Sequence, residues 1–495
     1  MLGIIRMPLH ILLSHSLSTN KTIVFQRLCR CRQRSLRRSN LQVCEGLLLA
    51  GKDWLPVIIS PVNSLRRFIS NPAVPREFRA NFIHLYFDMG WFGILSGTAM
   101  SFLSVYAARL GGSGFQIGLL AGTSAFVNLI LAIPASQLFQ KRPVGRTVFW
   151  SSVLYRIGYL LWIPLPWLFG NQGQIWALIT ITLLMGIPLT VQAIGFNALF
   201  AAAVPLEWRA SVAGTRNLLY SVTYMLSALG AGWLLVHLKF PVGYQVVFGI
   251  GGFAALMSCA HLFFVRVPPS VPTTPDPPPS PVHSELEKPA VHSRWLSNLR
   301  LDIWRTPYAG VMLVMLGLHF TQYLAIPLFP LFQVNALHLT DQSIGIGTAL
   351  YYLTSMFGST QLNRIVRRLG HRKVTGLGFM IMSFYPGLMA FTHSAYGYYF
   401  VSIIGGLSWA LMGSAFMNYI LESIPENDRP AHLAWYNIIL NGSILVGSMI
   451  GPLIAGFIGL AAALVVSAVL RLAAGYAIFR GGYGRRKVQH ISSSR

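Results

Sequence analysis

The strongest constraint on this chain is the recurrence, after about residue 80, of long apolar runs separated only by short polar punctuation. Crossing about 30 Å of hydrocarbon takes roughly 20 helical residues, and each run is at least that long. Twelve runs are expected, at 81–108, 114–139, 147–169, 174–203, 210–237, 242–265, 308–334, 342–365, 373–394, 396–422, 431–457 and 459–479. Lipid offers no partner to a backbone N–H or C=O, so only helices and closed barrels cross it. These runs are too long and too continuously apolar for barrel strands. The expected fold class is all-α, a polytopic membrane protein. Composition agrees, because 54% of the residues are apolar and only 10% are charged, whereas a soluble chain carries about 25%.

Between the sixth and seventh runs lies 266–307, which begins at Arg266 and carries Pro268, Pro269, Pro272, Pro275, Pro277, Pro278, Pro279, Pro281 and Pro289. Such a segment cannot build a core and reads as a linker. The expected units are therefore a basic N-terminal extension (1–80), a six-helix bundle (81–265), a proline-rich linker (266–307), a second six-helix bundle (308–480) and a basic tail (481–495). The formal charge of +25 would suggest nucleic acid in a soluble protein, but here the cations sit in short loops and at the ends. The odd-numbered loops hold Arg109 and Lys239. The even-numbered ones hold Lys141, Arg142 and Arg146, then Arg209, the linker cations, Arg364, Arg367, Arg368, Arg372 and Lys373, and finally Arg429. Cationic loops stay on the cytoplasmic side, so both termini and the linker are expected there, in the cell (inner) membrane, with no nucleic-acid partner. Cys29, Cys31, Cys44 and Cys259 form neither a disulfide framework nor a zinc spacing.

The two halves echo each other. Phe196, Pro205, Arg209 and Asn217 recur at one constant spacing as Phe416, Pro425, Arg429 and Asn437, and Ile117-Gly118 recurs as Ile344-Gly345. This is the mark of an internal duplication of the parallel kind, hence a pseudo-two-fold axis between two bundles. With cytoplasmic termini, a long central linker and basic loops after the second and eighth runs, residues 80–480 resemble the major facilitator superfamily of secondary transporters, of the bacterial sort. The motif that carries the likeness is Arg367-Arg368-Leu369-Gly370-His371-Arg372-Lys373, with a first-half copy at Gln140-Lys141-Arg142-Pro143-Val144-Gly145-Arg146. The family motif places an aspartate ahead of the arginine. Here Gln140 and Arg367 stand instead, so the cytoplasmic latch must differ. Gly447, Gly451-Pro452 and Gly456 in the eleventh run look like the glycine-proline motif that antiporters carry in the fifth, which has only Ser227, Gly230 and Gly232. Small residues four apart also serve plain helix packing. The arginine that many proton antiporters hold in the fourth run is missing between Leu183 and Thr190.

Ionisable groups inside a bilayer are costly and mark function by default. Asp88 is the one carboxylate well inside a run, and is the candidate for proton coupling. Arg156, at comparable depth from the same side, is its expected cation, so that either a titrating acid or a structural ion pair is open. Arg216 and Glu422 read as interface or gate charges, Arg471 as a snorkelling or packing residue, and His319 as a core histidine or a proton carrier. Asn128, Gln192, Tyr224, His319, Gln322, Tyr323, Trp409 and Asn441 fall near mid-membrane and are the candidate cavity residues, because carriers bind at the midplane between repeats. The cytoplasmic gate candidates are Arg146, Arg209, Arg368, Arg372, Glu422 and Arg429.

Residues 1–44 lack any acid and gather Lys21, Arg27, Arg30, Arg32, Arg34, Arg37 and Arg38 among serines. A transit peptide, which would mean an organelle membrane, a disordered basic tail and a start assigned too far upstream are the open readings. The functional expectation is a secondary transporter of a small solute, working as a monomer by alternating access, with protons as a possible coupling ion and no cofactor. The alternatives are a polytopic enzyme acting on lipid and a non-transporting receptor. Neither a phosphate-binding Gly-x4-Gly-Lys-Ser/Thr, a His-Glu-x-x-His nor a Gly-x-Ser-x-Gly occurs.

Overall fold

The computed structural model describes residues 76–267, 300–425 and 428–481. The N-terminal extension up to residue 75, the linker from 268 to 299 and the tail beyond 481 lie outside the described residues.

Every expected run falls on helix, and no strand occurs among the described residues. The first run is α1 (Arg76–Leu95) and α2 (Ser101–Arg109), joined by a π-helical turn at Ser96–Met100. Then come α3 (Gly114–Lys141), α4 (Val144–Ile157), α5 (Asn171–Ala203), α6 (Leu206–His237) and α7 (Val242–Phe263). The second half holds α8 (Tyr308–Ala325), α9 (Asp341–Met382), α10 (Phe384–Ala390), α11 (Ala395–Ser423), α12 (Arg429–Ile458) and α13 (Leu460–Arg480). Sequence punctuation sets the starts. Ser113 and Gln116 form a reciprocal cap on α3, and Pro143, Pro205, Pro241 and Pro307 each stand immediately before a helix, where a fixed φ and a missing N–H do no harm.

Nine helices among the described residues are long and apolar enough to cross a membrane, against the twelve expected. The other three runs are altered for visible reasons. The third breaks into α4, a 3-10 turn at Gly158–Trp162 and a single helical turn at Leu165–Leu168, where Pro164 and Pro166 interrupt it. The eighth and ninth abut as α9, whose only non-helical residue is Gly370 at φ 77°. The expected basic loop is therefore a one-residue break, which glycine adopts without steric penalty. The five cations Arg364, Arg367, Arg368, Arg372 and Lys373 dilute the apolar character of this stretch.

Large apolar side chains such as Trp150, Leu154, Phe253, Leu313, Phe400 and Leu472 face outward, as lipid as solvent requires. Within the first half α1 packs on α6 and α7, and α5 on α3 and α4. Within the second, α12 and α13 pack on α8, and α11 and α13 on α9. The halves meet along two helix pairs, α3 with α12 and α6 with α9. Both pairs close at the end carrying residues 109–114 and 339–345, called here the loop end; the opposite end, where α7 and α8 run into the linker, is the linker end. A Cβ on Gly232 would lie 2.9 Å from the Asp341 carbonyl oxygen, and one on Gly345 would lie 2.6 Å from that of Ala228, so only glycines permit this approach. The Gly447 and Gly451 pair of the eleventh run packs likewise on α8, against the Phe320 and Leu324 carbonyls.

Candidate functional site

The loop end is tied by charge as well as by close packing. Arg109 at the end of α2 places Nη2 3.1 Å from Asp341 Oδ1 at the start of α9, and donates to the Leu339 carbonyl. Deeper in, Asn128 Nδ2 donates to Asn441 Oδ1 across the halves at 3.3 Å, and Thr190 Oγ1 donates to Asn128 Oδ1 at 2.5 Å. Tyr224 of α6 stacks on Tyr352 of α9 with ring centroids 3.9 Å apart.

Beside this stack lies a cavity of about 500 Å³. Both halves wall it, with Ser101, Ser104 and Tyr224 from the first and Gln322, Tyr323, Tyr351, Tyr352, Tyr385, Tyr398, Trp409 and Arg471 from the second. Ligand sites are commonly about 300–1,000 Å³, mostly apolar, with a few polar groups. The rings are positioned by local packing. Tyr351 and Tyr385 meet edge to face at 6.1 Å, Phe329 meets Tyr385 at 4.9 Å, and the Tyr398 hydroxyl donates to the Ile344 carbonyl. Arg471 is 1% exposed and donates to the carbonyls of Gln322 at 3.1 Å and Thr321 at 3.3 Å. Of the two readings, snorkelling and packing, the burial excludes the first, because the side chain projects from the middle of α13 into the second bundle rather than toward an interface.

A second polar site belongs to the first half alone. Asp88 on α1 is 3% exposed, with Oδ1 3.5 Å from Arg156 Nη2 of α4 and Oδ2 3.7 Å from Arg216 Nη2 of α6. Ser258 of α7 donates its hydroxyl to the same carboxylate. The Arg156 guanidinium lies 5.6 Å from the Phe92 ring centre, and that of Arg216 4.6 Å from the Phe196 ring centre and 5.3 Å from that of Phe200. The aromatic cover explains why Arg216, expected at the interface, turns inward instead. A cavity of about 270 Å³ borders this cluster, and Gln192 lines it.

The eight midplane candidates thus separate. Tyr224, Gln322, Tyr323 and Trp409 line the shared cavity, and Asn128 and Asn441 bridge the halves. Gln192 joins the Asp88 cluster, while His319 sits inside the second bundle with its Nε2 3.2 Å from the Tyr436 hydroxyl. Among the gate candidates, Glu422 faces His371, with Nδ1 to Oε1 at 2.6 Å, and does not meet Arg216. Arg429 and Asn418 border the same pocket, of about 440 Å³. Arg209 donates to the Ala201 carbonyl at 2.6 Å and the Val204 carbonyl at 3.1 Å, closing the last turn of α5. Arg146 and Arg368 are exposed and Arg372 half-buried. The tyrosines of α9 and α10 and the role of Arg471 escaped the sequence reading. The adjacent Tyr351-Tyr352 pair inside an otherwise apolar run was the available signal.

The sequence profile of the Major Facilitator Superfamily matches residues 85–320 and 311–490, most of the described chain. Multidrug resistance protein 2 of Bacillus subtilis is 26% identical over 134 residues, 27% of this chain and 33% of that protein. Quinolone resistance protein NorA of Staphylococcus aureus is 24% identical over 148 residues, 30% of this chain and 37% of that protein. The alignments therefore span about a third of the length of these relatives. Among solved structures, the D-xylose-proton symporter superposes with a TM-score of 0.60 at 12% identity, covering 82% of this chain and 98% of its own. The nucleoside transporter NupG does so at 0.56 and 11% identity, covering 80% and 98%. At such identities the likeness is one of fold.

Proposed function

Since the chain belongs to the Major Facilitator Superfamily, we propose that it is a secondary active transporter, moving a small solute by alternating access between its two halves. The observation that carries this reading is the 500 Å³ cavity walled by both halves, which are tied to each other at the loop end by Arg109, Asp341 and the glycine contacts of α6 with α9. A cavity inside one bundle would serve a receptor or an enzyme equally well. One whose walls belong to two bodies changes access when those bodies rock.

The moving bodies are 81–265 and 308–480, joined by the linker 266–307. With the basic even-numbered loops and both termini in the cytoplasm, the tied loop end faces outward in this reading. The relatives' names fit a carrier of small molecules, and in this reading it acts as a monomer in the cell membrane, with no nucleic acid and no cofactor. Asp88 is the coupling residue in this reading. It joins α1, α4, α6 and α7, and adding a proton would release both arginines at once.

The test is flux into proteoliposomes that hold the purified chain, using solutes first selected by their effect on its thermal midpoint, since a ligand bound only to the folded state raises it. Uptake driven by an imposed pH gradient is the expected result. Uptake indifferent to the gradient removes proton coupling, and binding with no flux of any bound solute removes transport in favour of the receptor.

A further inference from the structure

Arg471 is a buried cation with no carboxylate within reach among the described residues. The second half contains no Asp or Glu from 308 to 340, from 342 to 421, or from 429 to 480, so its acids lie only at helix ends. The one acid deep in the first half, Asp88, is held by Arg156 and Arg216. Among the described residues Arg471 meets only carbonyl oxygens, those of Gln322 at 3.1 Å, Thr321 at 3.3 Å and Met382 at 3.5 Å. Its Nε has no hydrogen-bond partner among the described residues. A guanidinium in the hydrocarbon region is costly and persists where it serves a substrate path.

Its surroundings narrow the class of ligand. Arg471 borders the shared cavity together with Gln322, Tyr351, Tyr352, Tyr385 and Tyr398. Tyrosine faces favour a flat apolar or aromatic body, and a guanidinium fork favours a carboxylate, bound through two parallel N–H···O bonds. We infer that the cavity binds organic anions, with a carboxylate paired to Arg471 and an aromatic body against the tyrosines. This rests on the transport reading and gives it a substrate class. On this account the substrate completes the charge balance of the second half, and an empty carrier holds an uncompensated cation at its centre.

Three probes separate charge from shape: 2-naphthoate, its neutral analogue 2-naphthamide, and acetate, which has the charge without the ring. Against the full purified chain, 2-naphthoate raises the thermal midpoint in proportion to its concentration, while the other two do little. In Arg471→Gln the affinity for 2-naphthoate falls at least about tenfold, as loss of a charge-assisted hydrogen bond implies, and that for 2-naphthamide is unchanged. Arg471→Lys, which keeps the charge without the fork, falls between. Should Arg471→Gln fold poorly, the comparison of naphthoate with naphthamide on the unaltered chain decides alone. Equal binding of the two, no response to millimolar naphthoate, or full naphthoate affinity in Arg471→Gln each overturns the inference. Flux distinguishes its failure from that of the transport reading. Naphthoate bound through Arg471 but never moved would leave the site and remove transport, whereas neutral solutes moved with Arg471 indifferent would do the reverse.

Discussion

The two halves solve the problem of a buried arginine in opposite ways. In the first, Arg156 and Arg216 converge on Asp88, and Ser258 completes the carboxylate's hydrogen bonding. In the second, Arg471 has only main-chain carbonyls, at 3.1 to 3.5 Å. An arrangement that supplies its own counter-charge is complete without a ligand. One that leaves the counter-charge out has a place for a ligand, and the shared cavity lies on that side. Both halves are helical, yet only the first holds an acid in mid-helix among the described residues.

The comparison breaks most visibly at Asp88. Removing one member of a buried ion pair costs about 3–5 kcal/mol, because the remaining charge is stranded. Asp88→Asn strands two guanidinium groups, so a large fall in thermal midpoint in detergent is expected, and Asp88→Asn combined with Arg216→Gln should recover part of it. A variant as stable as the parent would show that the cluster is not held by charge. At Arg471 the expected sign is reversed. Arg471→Met removes a cation with no ionic partner among the described residues and adds apolar contacts, so the ligand-free midpoint should hold or rise, since an ion kept out of water carries a desolvation cost of several kcal/mol. A fall as large as that of Asp88→Asn would make Arg471 a structural residue and erase the contrast.

The fold was legible because lipid leaves so few options. Run length, the proline-rich linker and the loop cations led to an all-α architecture without reference to any side-chain contact. Even the departures have local causes, Pro164 and Pro166 in the third run and Gly370 between the eighth and ninth. Charged site residues were legible in part, because an ion inside an apolar run stands out. Asp88 and Arg156 were found this way, and they meet at 3.5 Å. What depth along a helix does not reveal is azimuth. Arg216 was read as an interface charge and Arg471 as a snorkelling or packing residue, whereas one is covered by Phe196 and Phe200 and the other points into the bundle beside the cavity. His319 was placed near mid-membrane together with Gln322, yet one faces Tyr436 and the other the cavity. The cavity tyrosines were hidden because aromatic rings serve packing in any apolar run.

A smaller effect is expected at the loop end, where the halves are joined rather than contrasted. The Arg109 and Asp341 side chains are 26% and 12% exposed, so their pair is partly screened, and its direct worth is about 1 kcal/mol or less. Its weight falls on conformational balance instead. Asp341→Asn should change the midpoint little but favour the state open at the loop end. A cysteine introduced by Ser104→Cys, which borders the cavity, should then react faster with a membrane-impermeant thiol reagent added from the side of residues 109–114. Unchanged labelling would assign closure to the glycine contacts between α6 and α9 alone.

The smallest effect should come from the linker end of the second half, where His371 and Glu422 make a pair with side chains 27% and 58% exposed. The geometry is close, at 2.6 Å, but water reaches both groups, and exposed pairs contribute about 0.2–1 kcal/mol at most. Glu422→Gln keeps a hydrogen-bond acceptor in place, so the thermal midpoint should move by no more than about 1–2 °C, in line with a fraction of a kcal/mol in a chain this long. The first half has no matching pair, since the residues that precede its Pro205 are Ala202, Ala203 and Val204. A large loss of stability in Glu422→Gln would therefore reveal a latch peculiar to the second half. It would also mean that charge on this side of the protein is balanced at the surface of the bundle, leaving only its interior short of an anion.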